Sequence, residues 1–127
     1  KESDSVAQAM SGCKDRTPAI IDGVVGAHPC ALCKKVVDLF LNILGSEAGN
    51  LALKLYAKGG IYLGGGILPR LVDHVSFDGF RDSFLNKGDM SPLMREIPVK
   101  IILHKNSALL GAAGYLLEYL ETKGKNS

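Results

Sequence analysis

The chain has 127 residues, 46% of them hydrophobic and 22% charged, with a formal net charge of +2. That length supports one domain with a real core, and the interspersed charges argue against a nucleic-acid or anionic-membrane surface. No apolar run approaches the ~18 residues of a membrane span, since the best candidate, Val36 to Leu44, is broken by Asp38 and Asn42.

Lys1 to Lys14 is polar with small residues and reads as a linker or a frayed helix separated from whatever it packed on. Thr17-Pro18 is a helix start, with a hydroxyl at the cap and a proline where a missing N–H costs nothing. This helix is expected to reach about Gly26. His28-Pro29 opens a second, much longer one. Its apolar residues Leu32, Val36, Leu39, Phe40, Ile43 and Leu44, continued by Ala48, Leu51, Ala52, Leu55 and Tyr56, recur at three- and four-residue steps and predict the inward stripe. Val37, Leu41 and Leu53 fall off that stripe, so the helix is apolar over much of its circumference and is expected to be buried. Gly45 and Gly49 cost helix stability. Their four-residue spacing places both on one face, where a neighbouring helix can come close; a kink at Gly45-Ser46 is the alternative.

Gly59-Gly60 is expected to end the long helix. Ile61-Tyr62-Leu63 is a short strand, followed at once by Gly64-Gly65-Gly66. Pro69 then occupies the first turn of a helix carrying Leu71, Val72 and Val75. Phe77 to Asn86 predicts a short helix with Phe77, Phe80 and Phe84 on one face, and Asp89 to Glu96 a small helix or turn around Pro92. Pro98 to Leu103 is the second strand. Asn106 or Ser107 caps a last helix with an expected inward stripe of Leu109, Leu110, Ala113, Leu116, Leu117 and Leu120.

Strand, crossover helices, strand is the grammar of a parallel α/β fold. Two strands alone do not shield both faces of a sheet. That deficit, together with a first residue that is Lys1 and not Met, points to a fragment of a longer protein. Residues 1–28 are taken as linker and short helix, and residues 29–127 as the folded part.

The glycine triplet is the most informative candidate site. Glycines directly after a parallel strand let the backbone turn sharply and a ligand approach without meeting a Cβ. Ligands of open α/β sheets bind beyond the carboxyl ends of the strands, and the N–H groups of a following helix add a partial positive charge. The triplet matches neither Gly-x-Gly-x-x-Gly nor a phosphate loop ending in Gly-Lys-Ser/Thr. From spacing alone, a ligand site and a tight turn without a ligand stand level. Three cysteines, two of them in Cys30-Ala-Leu-Cys33, are too few for a disulfide scaffold. Three residues apart on a helix, Cys30 and Cys33 can simply pack, and a redox pair or half a metal site is the weaker reading. His74 and His104 are isolated, and Asp73, Asp78 and Asp82 read as solvated faces. No nucleophile–base grouping or paired carboxylates can be assembled from spacing, and no metal ligands are assigned.

Three segments between Cys33 and Leu120 resemble the C-terminal third of the bacterial-type glucokinases, sugar kinases of the actin and ribonuclease-H-like ATPase superfamily. Gly49-Asn50-Leu51-Ala52-Leu53 resembles the family's second connecting segment at the hinge between lobes. Gly59 to Arg70, with Gly64-Gly65-Gly66-Ile67-Leu68-Pro69-Arg70, resembles its adenosine motif. Gly79-Phe80-Arg81 through Ile97-Pro98-Val99, then Asn106 to Gly111, follow its closing order.

The resemblance implies an α/β fold: the C-terminal part of a ribonuclease-H-like domain, with two parallel strands and flanking helices, one of them long. Residues 29–127 would form part of the glucokinase large lobe. Gly65 and Gly66 would lie against the adenosine of ATP, with Gly64 at a small-residue position and Ile67 and Leu68 flanking. Gly49 and Asn50 would sit at the hinge, Arg70 would anchor the following helix, and Asn106 is a weaker nucleotide-side candidate. The family's phosphate motif, catalytic Asn-Asp pair and sugar ligands have no counterpart here, so no catalytic residue is assigned in this chain. The implied parent transfers phosphate from ATP to glucose with Mg²⁺, while the chain alone is expected to be inactive. A sugar-responsive regulator or interaction module on the same fold is the alternative. Nucleic acid and membrane are not expected as partners, and exposed strand edges leave a homodimer open. The expected compartment is the cytoplasm, with a glycosome-like organelle as the alternative if the C-terminus is truncated.

Overall fold

A computed structural model describes residues 4–11, 15–27 and 29–124. In chain order the elements are α1 (Asp4–Met10), α2 (Thr17–Val25), α3 (Ala31–Leu55), β1 (Ile61–Leu63), α4 (Leu68–Leu71), α5 (Asp78–Leu85), α6 (Ser91–Glu96), β2 (Val99–Ile101) and α7 (Ser107–Gly124), with a 3₁₀ turn at Gly88–Met90 before α6. β1 and β2 are parallel and in register, Ile61 opposite Val99 and Leu63 opposite Ile101. Flanking backbone bonds extend the pairing, from Ile61 N–H to the Pro98 carbonyl and from Ile102 N–H to the Leu63 carbonyl. The α/β reading and the parallel crossover therefore hold.

The long helix α3 organises the core. Its buried positions are Cys33, Val37, Leu41, Gly45, Ala48, Gly49 and Ala52. This corrects the expected stripe, of which only Ala48 and Ala52 are buried; Leu32, Val36, Leu39, Ile43, Leu51 and Leu55 are exposed. The reason is steric. α5 lies so close to α3 that a Cβ at Gly45 would fall on the Phe80 carbonyl oxygen, and one at Gly49 would come within 2.8 Å of the Phe84 carbonyl oxygen. At the start of α5, a Cβ on Gly79 would meet the side-chain oxygen of Asn42. Only the face built from glycine and alanine admits another backbone, so small residues, not the largest ones, select the interior side. The expected close helix approach is present, and α3 runs unbroken through Gly45-Ser46.

α5 brings its aromatic face with it. Phe80 stacks on Phe84 with centroids 6.1 Å apart, and Phe77 meets Phe80 edge-on at 6.4 Å. Together with Leu41, Leu71, Met94 and Ile97 these residues form the main core. α3 is also long and apolar enough to cross a membrane, with a mean hydropathy of 1.3 over 18 residues, which counting uninterrupted runs did not show. Its contacts with α2 and α5 are those of a core helix.

The opening segment, where described, is more than a linker. Ile21 of α2 joins the main core, and Val6 of α1 is buried with Cys30 and Cys33. His28, expected to open α3, lies outside the described residues; α3 starts at Ala31 with Cys30 in extended conformation at its cap. The α2 cap also differs from expectation. Arg16 holds the cap position without a side-chain bond. The Thr17 N–H donates instead to Asp15 Oδ1 at 2.9 Å. At the other end, α3 stops at Leu55, before Gly59-Gly60, because Tyr56 takes the left-handed conformation (φ 48°) and the Ala57 N–H turns back to the Ala52 carbonyl. Gly60, at φ +115°, then redirects the chain into β1 under the Pro98 carbonyl.

The last helix departs most from expectation. Its anticipated inward stripe is exposed throughout, with Leu109, Leu116, Leu117 and Leu120 all open. Every described side chain from 108 to 123 is exposed.

Two outcomes test this packing. Gly45→Ala should destabilise the chain by about 3 kcal/mol, because backbone cannot yield to the added methyl as a flexible side chain can. Gly49→Ala should cost less, since its methyl meets one backbone atom, the Phe84 carbonyl oxygen at 2.8 Å, less closely than Gly45's meets Phe80, and its other close neighbour is a Lys87 methylene that can move; urea unfolding of both variants measures the difference. The Thr17 amide holds the Asp15 carboxyl below the usual carboxylate range. This contribution to stability is present above the unfolded carboxylate's pKa and lost as pH falls through the lower folded value. An amide-shift titration of Thr17 should therefore show its midpoint on the acid side of an ordinary Asp, and Asp15→Asn should abolish it.

Candidate functional site

The candidate site is the turn that leaves the carboxyl end of β1. Leu63 is buried and fixes the strand's end, and the next residues, Gly64, Gly65 and Gly66, are all exposed. Gly65 has φ +116°, a conformation that disfavours any side chain. A Cβ on Gly65 or Gly66 would meet nothing within 4 Å, and one on Gly64 would touch only the Ile102 methyl at 3.6 Å. The glycines here are therefore not enforced by internal crowding, unlike Gly45 and Gly49. They leave a bare strip of backbone facing outward, a surface on which a flat ring can lie in contact with peptide planes.

Below the strip, Leu68 is buried at 4% exposure and belongs to the main core. Its side chain anchors the turn from inside. Ile67 is half-buried and packs against that core. The helix expected to add N–H groups is a single turn, α4, and carries Pro69 near its start. It adds little dipole, so the exposed peptide groups of the glycines dominate the site. Arg70 Nη2 reaches Asp22 Oδ1 of α2 at 2.8 Å. It ties the segment after the turn back to α2. Both partners are largely exposed, so the pair adds at most about 1 kcal/mol.

Gly49 and Asn50 lie mid-α3, away from any break in that helix. Gly49 sits in the contact with α5. Asn50 Oδ1 accepts from Lys87 Nζ at 2.7 Å, and the same ammonium donates to the Ser46 carbonyl at 3.0 Å. Lys87 thus clamps the chain beyond α5 onto the middle of α3. Sequence reading missed it, because its partners are 37 and 41 residues away. Asn106 is exposed, and its N–H donates to His104 Nδ1 at 3.2 Å. Asp73, Asp78, Asp82 and His74 are exposed. Among the described residues no three His, Cys, Asp or Glu side chains gather in a group that could hold a metal ion.

The glucokinase family model matches residues 2–119. The chain belongs to the glucokinase family. A glucokinase from Saccharophagus degradans is 44% identical over 103 residues, covering 81% of this chain and 30% of that protein. A glucokinase from Colwellia psychrerythraea is 46% identical over 90 residues, covering 71% and 27%. The crystal structure of a glucokinase from an Antarctic psychrotroph superposes with a TM-score of 0.68 and 32% identity, over 90% of this chain and 35% of that one. The chain thus spans about 30% of the length of the glucokinase relatives it matches. The family match also runs back to residue 2, beyond the stretch from Cys33 in which the motifs are readable by eye.

Replacing Lys87 by Met keeps its stem and removes its donors. It should lower stability by about 1–2 kcal/mol, the scale of a charge-assisted hydrogen bond with partial exposure. Denaturant unfolding reads the change. Asn50→Ala measured in a double-mutant cycle with Lys87→Met should be strongly non-additive.

Proposed function

We propose that this chain supplies the nucleotide side of a glucokinase that transfers the γ-phosphate of ATP to the 6-hydroxyl of glucose. The observation that carries the reading is the open Gly64-Gly65-Gly66 strip at the carboxyl end of β1, in a chain of the glucokinase family. The backbone of Gly65 and Gly66 would lie against the adenosine. Ile67 would edge the ring, and Leu68 would hold the turn rigid from the core. Gly49, Asn50 and Lys87 would serve as a stiff support for the hinge between lobes.

Phosphoryl transfer depends mainly on positioning and on charge stabilisation around the transferring group. Nothing in the described residues is assigned to those tasks, neither a general base nor a Mg²⁺ ligand set. In this reading they belong to the longer protein, and the chain by itself is inactive. The exposed stripe of α7 and the outer face of α3 are then the surfaces on which the remainder of such an enzyme packs. Cytoplasmic placement is part of the same proposal; an organelle address finds no support in the bacterial relatives.

The test uses the reading frame extended to the length of the relatives. ATP-dependent glucose phosphorylation is expected in a coupled assay. Gly66→Val should raise KM for ATP by about tenfold or more, since tenfold corresponds to about 1.4 kcal/mol of lost binding, and should leave KM for glucose nearly unchanged. The 127-residue chain alone should release no ADP on adding glucose. Unaltered ATP kinetics in the Gly66 variant, or turnover by the short chain, would contradict the proposal.

A further inference from the structure

A second, smaller apolar cluster lies apart from the main core and from the glycine turn. It consists of Val6 of α1 with Cys30 and Cys33 at the start of α3, and Met10, Ile20 and Val24 pack against it. Both cysteines are 3% exposed. The cluster closes on Gly23 of α2. The Cys30 N–H donates to the Gly23 carbonyl at 2.7 Å, and a Cβ at Gly23 would come within 2.8 Å of Cys33 Sγ and 3.3 Å of Val6. A glycine inside a helix costs stability, and here it makes room for a sulfur.

The pair has the geometry of a dithiol that can close. Cys30 holds the cap position in extended conformation, and its carbonyl accepts from the Lys34 N–H at 3.0 Å, which closes the first helical turn around Cys33. One such turn sets Cα atoms three residues apart at about 5 Å, inside the roughly 4.4–6.8 Å of disulfides. Joining the sulfurs removes two hydrogens and needs no added space in a packed cluster. Buried thiols react only where they can be uncovered, and the cover here is α1. That helix has seven residues, too few for stability on its own. It seats Val6 and Met10 against the pair, while Ala7 and Gln8 are exposed. Lifting it uncovers the cysteines without opening the main core, a local opening that costs far less than global unfolding.

We propose that Cys30 and Cys33 form a reversible redox site, closed to a disulfide by a small-molecule disulfide and reopened by the corresponding thiol. One cysteine thiolate attacks a sulfur of the oxidant and expels the first small thiolate. The other cysteine, once deprotonated, attacks the mixed disulfide at the protein sulfur and expels the second. The protein gives up two electrons and two protons, and the oxidant becomes two thiols. The site is independent of the nucleotide reading, since it shares no residue with the glycine turn. The contact that moves with the bond is the one at Gly23, where Val6 and Cys33 meet, so the seat of α1 on α2 responds to the redox state.

Peptide mapping separates a redox site from a pair that merely packs. The folded 127-residue chain is held in mixtures of oxidised and reduced glutathione, quenched in acid, alkylated and cut with trypsin. Cleavage after Arg16 and Lys34 releases one peptide with Cys30 and Cys33 in it, while Cys13 leaves on another. Without denaturant, that peptide should become lighter by two hydrogens and take up no alkyl group, and excess reduced glutathione should reverse both changes. Amide shifts of Val6 and Gly23 should follow the conversion, with Leu41 and Phe80 of the main core unmoved. Val6→Ala, which thins the cover, should speed closure by about tenfold. The reading frame extended to the relatives' length should give the same light peptide. The proposal is overturned if the peptide stays reduced in both proteins, if it closes only in urea, if Cys30 or Cys33 pairs with Cys13 or another cysteine instead, or if Val6→Ala leaves the rate unchanged.

Discussion

The fold depends on a backbone-to-backbone contact between two helices. At Gly45 and Gly49 the long helix offers no Cβ, and the carbonyl groups of Phe80 and Phe84 occupy that space. Close approach of this kind allows many small dispersion contacts at once and sets the angle between the helices with little freedom. Once α5 is seated, its phenylalanines are committed to the core and its carboxyl end is committed to Lys87, which reaches back to Ser46 and Asn50. The helix-breaking cost of two glycines inside α3 is the counterpart of that contact.

The rest of the architecture follows from where α5 is held. α6 continues from it and buries Met94 and Ile97, which delivers Pro98 to Ile101 alongside Ile61 to Leu63. Only then does β1 have a partner, and only then is the Gly64-Gly65-Gly66 turn presented at a defined strand end. The two groups of glycines thus have opposite physical reasons. Those in α3 are required by crowding, while those after β1 face open space, with a conformational need at Gly65 alone. That contrast separates structural glycine from candidate functional glycine without appeal to family membership. The fold built this way is the one shared with a glucokinase structure that superposes over 90% of this chain.

Much of this was legible in the residues. Period and punctuation located α2, α5 and both strands to within about two residues, the usual scale of boundary uncertainty. The Gly45–Gly49 spacing pointed to a close neighbour. What failed was the choice of face. Counting large aliphatics put Leu32, Leu39 and Ile43 inside, whereas α3 buries Gly45, Ala48, Gly49 and Ala52. A helix apolar around most of its circumference does not announce its interior through hydrophobicity, and residue volume is then the better guide. The stripe on α7 was read correctly as apolar, yet no described element covers it. The turn at Gly64 was located from glycine spacing. Its backbone openness, the core burial of Leu68 and the clamp by Lys87 were not, because each depends on contacts between residues distant in sequence.

The most direct test of the central claim is an amide-shift titration of the ¹⁵N-labelled chain with ATP into the millimolar range, with inorganic triphosphate as control. The account predicts saturable movement of Gly64, Gly65, Gly66 and Ile67 that triphosphate alone does not reproduce, with Gly111 and Gly114 of α7 unmoved. Still glycines at β1 while other regions shift, or an equal response to triphosphate, would contradict it.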